Sequence, residues 1–134
     1  MYQTISVNTK NRIIMVDITS EVQRCVKEAG IKDGICVIYV PHTTAGITIN
    51  EGADPDVCRD VLEKLAELVP YGRGYHHTEG NADSHIKATL VGSSVTLIVE
   101  DGRLVLGTWQ RIFFCEFDGP RNRKALVKCI SSGQ

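Results

Sequence analysis

The chain lacks most of the features that announce a function directly. Its 15 basic and 16 acidic side chains leave a formal net charge of -1, so nothing in the overall balance calls for nucleic acid or an anionic membrane, and only a local basic patch would do so. Its five cysteines, at 25, 36, 58, 115 and 129, are odd in number and form no Cys-x-x-Cys pair. They give no ground for a disulfide framework or a zinc knuckle and read as buried free thiols in a reducing compartment. No apolar run approaches the roughly 18 residues needed to span a bilayer, and Met1-Tyr2-Gln3-Thr4 shows no basic stretch leading into an apolar one. A soluble, cytoplasmic protein is expected. Neither a Gly-rich phosphate loop nor an Asp-rich magnesium motif is present, and no repeat, low-complexity tract or linker divides residues 1–134. That length suits one domain, burying about two thirds of the unfolded surface.

Strand and helix signals fill most of the chain. Ile5 and Val7, then Ile13 to Ile18, flank a polar stretch and read as an opening hairpin. Ser20 with Gln23 reads as a capping box, ahead of a helix with Val22, Cys25, Val26 and Ala29 on one face and Gly30 as its stop. Ile35 to Val40 is short and β-branched, and Pro41 ends it as a buried strand, with Gly46 to Asn50 as the next. Asp54 followed by Pro55 opens a second helix with Val57, Val61, Leu62, Leu65, Leu68 and Val69 on one face, ending at Pro70. After a polar loop at 71–83, Asp83 or Ser84 caps a short helix carrying His85, Ala88 and Leu90 before Gly92. Val95 to Glu100 and Leu104 to Leu106 flank Asp101-Gly102, a type I′ hairpin signal. Gly107 marks a bulge. Thr108 to Asp118 then alternates Trp109, Phe113, Cys115 and Phe117 on one face with Gln110, Ile112, Phe114 and Glu116 on the other, so this strand is buried on both sides by a sheet, a helix or another subunit. Ala125 to Ile130 is the last strand.

Three of the four histidines sit in polar surroundings at element ends, where sites are usually built. His42 follows a strand, and Thr43 and Thr44 beside it offer hydroxyls and amides to an oxyanion, or simply cap their own backbone. His77 and His85 bracket Glu79, Asn81 and Asp83 in a loop long enough to bind something. His76 points away from His77 if the segment is extended. Glu51 after Asn50 is a general base or a solvated turn carboxylate, and Trp109 is core or interface before it is a stacking platform. Glu116 and Arg121 are an acid and an anion clamp, or a surface pair worth little.

Taken together, His42-Thr43-Thr44-Ala45, Thr48-Ile49-Asn50-Glu51, Asp54-Pro55-Asp56, Glu79 to Lys87, Gly107-Thr108-Trp109-Gln110 and Glu116 to Arg121 resemble the YjbQ family in order and nearly end to end. The resemblance implies an α+β fold of order ββαββαβββ, with strands in two sheets forming a sandwich, two main helices, and a trimer around a threefold axis. It implies site residues His42, Thr44, Asn50, Glu51, His77, Asn81, His85, Gln110, Glu116 and Arg121. The family is often labelled a secondary thiamine-phosphate synthase.

The expected function is a small metal-assisted or acid/base enzyme acting on a phosphorylated metabolite, a thiamine-phosphate synthase-like transferase among the options. In it His42, His77 and His85 converge as zinc ligands or proton carriers, Glu51 and Glu116 join the acid/base chemistry, and Thr43, Thr44, Asn50, Asn81, Gln110 and Arg121 hold the substrate. Two rivals keep the same residues: a non-catalytic trimeric module binding a small anion or metal, and a metal-dependent hydrolase. A homotrimer built partly on Thr108 to Asp118 completes the expectation.

Overall fold

The computed structural model describes residues 1–72 and 74–133. In chain order the elements are β1 (Gln3–Asn8), β2 (Ile14–Asp17), α1 (Thr19–Ala29), β3 (Gly34–Tyr39), β4 (Ala45–Glu51), α2 (Pro55–Leu68), α3 (Ala82–Val91), β5 (Ser94–Glu100), β6 (Arg103–Leu104), β7 (Gln110–Glu116) and β8 (Asn122–Ser131). The strands form two antiparallel sheets, ordered β1-β8-β3-β5-β6 and β2-β7-β4. This is the expected α+β class, but the order is ββαββααββββ: a third helix follows the second directly, and β6 adds a two-residue strand.

Between the sheets lies the main core, with Ile5, Val7, Cys36, Ile38, Val99, Ala125 and Val127 from one sheet meeting Ala45, Ile47, Ile112 and Phe114 from the other. Val22, Cys25 and Val26 of α1 close the same core. A second cluster lies on the outer side of the small sheet. There Phe113, Cys115 and Phe117 pack against Ala88 of α3 and Cys58, Leu62 and Leu65 of α2. The alternation read from the sequence therefore holds in β7, and this chain's own helices cover its second face. Phe114 is wholly internal and so takes no part in a contact with another subunit, while Trp109 just outside the strand is 62 % exposed.

Four local readings are corrected, three of them where a contact distant in sequence intervenes. The opening strands make no hairpin, because β1 pairs with β8 and β2 with β7. The chain crosses between sheets at Thr9 and Arg12, held by Thr9 N–H to the Arg121 carbonyl (3.0 Å) and by Arg12 on Asp83 (3.0 Å). Helix α1 starts before Ser20: Asp17 Oδ1 accepts from the Thr19 amide and hydroxyl, while Gln23 is drawn to Gly102 and Leu104 of the β5–β6 hairpin. Helix α3 starts after Asn81, since Asp83 and Ser84 lie inside it and bind Arg12. Gly107 forms a turn closed by both ends of Gln110 rather than a bulge. The other punctuation holds: Asp54 caps α2 with Pro55 at its first position, Gly30 stops α1 at φ 69°, and Asp101 and Gly102 both have the positive φ of a type I′ turn.

Candidate functional site

Helix α3 carries the residue around which the candidate site is arranged. Its inner face is fixed by Asp83, which is buried and accepts from Arg12 (3.0 Å) and Lys87 (2.8 Å), and by Ser84, whose hydroxyl donates to the Phe117 carbonyl. Burial alone would raise the Asp83 carboxyl, but its bonds to Arg12 and Lys87 outweigh this and hold it below the ordinary carboxylate range. His85 on the same helix looks outward to the loop before it. Its ring centre lies 5.1 Å from that of His77, edge to face, and His77 Nε2 is 3.7 Å from Glu79.

Two cavities meet at His85. One, about 310 Å³, is lined by Tyr75, His76, His77, Ala82, His85 and Ile86. Contrary to the extended-segment expectation, His76 and His77 border the same space, because this stretch is irregular loop. The other cavity, about 410 Å³, has His42 and Thr43 on one side and His85, Thr89 and Ser93 on the other. Its walls approach closely: the Ile47 amide donates to the Gly92 carbonyl (3.0 Å), and a Cβ at Gly46 would sit 2.6 Å from that oxygen. Glycine is required there.

His42 is held by a single decisive bond. Its Nε2 accepts from the Lys124 amide at 3.0 Å, so that nitrogen is unprotonated and the proton sits on Nδ1. Burial first, then the charge of Arg123, depresses the pKa of His42 and favours the neutral ring. In this arrangement His42 is a hydrogen-bond donor, which corrects its place in a metal-ligand set: the remaining nitrogen carries the proton.

Glu116 is corrected as well. It is fully buried and faces Arg123, not Arg121: Arg123 Nε donates to Oε1 at 2.9 Å, and Thr9 Oγ1 (2.7 Å) and the Asp118 amide (3.0 Å) also donate to it. Burial would raise this carboxyl, yet these donors, Arg123 foremost, keep it below its ordinary value. Arg123 also reaches Thr44 Oγ1 at 2.8 Å. Glu116 and Thr44 are thus structural supports of the His42 corner. Arg121 pairs instead with Asp118 (3.0 Å), which also receives Asn81 Nδ2 (2.8 Å); Asn81 Oδ1 is buried and has no partner among the described residues.

Asn50, Glu51 and Gln110 lie elsewhere. In the β4–β7 pairing Ala45 faces Glu116 while Glu51 faces Gln110, six positions along, or about 20 Å of strand. They stand at the opposite end of the small sheet, where Asn50 Oδ1 accepts from the Glu51 amide and Gln110 is tied to Gly107. One chain therefore gathers His42, Thr43, His77 and His85 around the two cavities, keeps Asn81 and Arg121 beside Asp118, and leaves these three apart.

Residues 3–132 match the family described as UPF0047 protein YjbQ-like. The chain belongs to this family. Among UPF0047 relatives, the protein MJ1081 of Methanocaldococcus jannaschii is 55 % identical over 124 residues, covering 92 % of this chain and 90 % of that protein. YugU of Bacillus subtilis is 52 % identical over 97 % of this chain and 99 % of its own length. A solved Clostridium acetobutylicum structure, described as an uncharacterised conserved YjbQ/UPF0047 protein, superposes with a TM-score of 0.94 at 54 % identity, covering 96 % and 99 % of the two chains. A Sulfolobus solfataricus protein described as of unknown function gives 0.94 at 38 % identity, covering 98 % and 97 %.

Within this UPF0047 chain, no group of three His, Cys, Asp or Glu side chains stands close enough to hold a metal ion among the described residues. Two imidazoles on one tetrahedral zinc place their ring centres roughly 5 Å apart. The His77–His85 spacing of 5.1 Å suits two such corners, and further ligands would have to come from outside this pair. Sequence reasoning set His76 aside and missed the parts played by Arg12, Lys87, Asp118 and Arg123. Lys87 and Arg123 read as surface cations until the carboxylates they neutralise, at positions 83 and 116, are seen to be buried.

Proposed function

We propose that this UPF0047 protein is an acid/base enzyme for a small phosphorylated metabolite, its site running across the two cavities that share His85. That sharing is the observation on which the reading rests: one imidazole borders both a cavity with His42 and Thr43 and a cavity with His76 and His77. In this reading His42 donates Nδ1–H to an anionic oxygen and Thr43 adds a hydroxyl. His85 and His77 carry protons between the bound groups. Were zinc held by His77 and His85, it would supply Lewis acidity in place of their proton transfer, with water or a neighbouring subunit completing its shell. Thiamine phosphate formation belongs to the same class: a carbon–nitrogen bond forms as diphosphate leaves, and the donors would bear the leaving charge.

A threefold assembly belongs to this proposal, seated on the outer face of the five-stranded sheet. There Ile35, Tyr39, Ile98 and Ile130 are 39–61 % exposed, a contiguous apolar row that a neighbouring subunit would cover. Asn50, Glu51, Gln110 and Arg121 are the residues that such an assembly would have to bring to a neighbour's histidines.

The test is a panel of phosphorylated metabolites with measured metal content, run on wild type and His85→Ala. Turnover in wild type and its loss by at least about 100-fold in the variant is expected. Tight binding without turnover would make the protein a binding module, and turnover unchanged by the substitution would remove the histidines from the chemistry.

A further inference from the structure

Beneath α1, on the core side of the large sheet, three thiols lie in one cluster: Cys25, Cys36 and Cys129. Two of them are direct cross-strand partners. Cys36 of β3 faces Cys129 of β8, and their sulfurs are 3.7 Å apart. Opposed residues in an antiparallel pair have Cα atoms about 4.5–5.5 Å apart, inside the range that a disulfide spans, about 4.4–6.8 Å. Closing the bond needs the sulfurs to approach to about 2.05 Å, a side-chain rotation rather than a backbone movement.

We infer that Cys36 and Cys129 are an oxidation site at which a peroxide joins β3 to β8 through a cross-strand disulfide. Access orders the steps. Cys36 is fully buried, and burial, then the neighbouring Cys129, pushes its thiol pKa upward, so it is not the sulfur that meets the oxidant. Cys129 is only half-buried. Its thiolate attacks the peroxide O–O bond, giving a sulfenic acid and one water. The Cys36 sulfur then displaces hydroxide from that sulfenic sulfur, the S–S bond forms, and a second water leaves with the Cys36 proton. Two electrons pass from the two thiols to the peroxide. Nothing in this chemistry uses the histidine cavities, so it stands or falls independently of the proposed function.

Brief treatment of the folded protein with hydrogen peroxide, followed by unfolding and alkylation, tests this. The count of alkylatable thiols should fall from five to three, with a mass loss of about 2 Da before alkylation. A non-reducing peptide map should join the Cys36 and Cys129 peptides. The midpoint of thermal unfolding should rise by on the order of 10 °C and fall back with reductant. Cys129→Ser should keep all its remaining thiols under the same treatment. Wild type retaining five thiols, a map joining Cys25 to Cys129, or accumulation of a sulfinic acid at Cys129 without cross-linking would each overturn the inference.

Discussion

The two ends of the β4–β7 ribbon are built on opposite principles. At the Ala45–Glu116 end a buried carboxylate, a buried guanidinium and two threonine hydroxyls satisfy one another, and His42 stands beside them with its tautomer fixed by the Lys124 amide. At the Glu51–Gln110 end Asn50 and Gln110 are exposed and bond to nearby backbone, and Arg111 beside them makes a half-exposed ion pair with Asp17 (2.7 Å). The first end spends a buried ion pair on rigidity, which in a low-dielectric interior is worthwhile only when every donor and acceptor is met. The second is a polar surface whose orientation is lightly constrained, as suits residues that meet something outside their own chain. Equal weight in a motif thus conceals unequal duties.

The largest effect expected to break this contrast is Arg123→Met. Glu116 would be left buried without its main partner, and urea unfolding should report a loss of about 3–5 kcal/mol. A loss below about 1 kcal/mol would mean that the two ends are equally soft.

Acid titration sharpens the contrast with a smaller effect. The folded pKa of His42 lies below its ordinary 6.5, so the stability from its neutral ring is fully present above 6.5 and is lost as pH falls from there through the folded value. The folded pKa of Glu116 lies below its ordinary 4.5, so its contribution is present above 4.5 and is lost as pH falls through its own folded value. Stability measured against pH should therefore decline in two stages. His42→Asn should remove the upper stage alone, and an unaltered profile in that variant would refute the assignment.

The smallest effect belongs to the other end. Glu51→Gln and Gln110→Ala should each change stability by no more than about 0.5 kcal/mol. If their side chains complete a neighbour's site, ligand binding by the assembled protein should nevertheless fall at least tenfold. Binding and stability both unchanged would remove these residues from the site.

What could be read in advance follows from the range of each signal. Local chemistry is written in adjacent residues: Asp54-Pro55 starts α2, Asp101-Gly102 turns a hairpin, and the alternation through Phe113, Phe114 and Cys115 divides two cores. Pairing across the chain is not written there. The polar stretch at residues 8–12 resembles a turn, and only contacts with Glu116, Arg121 and Asp83 make it a crossing between sheets. The same limit governs the site. The histidines were visible as polar residues at element ends, but the tautomer of His42 depends on the amide of Lys124, 82 positions away. Glu116 looked reactive because its partner Arg123 lies on the next strand and is buried with it.

The position of β8 has a consequence in time. Strand β8, which follows every other described strand in the chain, lies inside the five-stranded sheet, bonded to β1 on one side and β3 on the other. Until its residues leave the ribosome, those two strands have no common neighbour. At about 5–20 residues per second, the roughly 90 residues between the end of β3 and the end of β8 take on the order of 5–20 s to make. Throughout that interval the nascent chain carries two strands with open edges, so it is exposed to aggregation or chaperone capture on every round of translation, and closure of the sheet waits for β8.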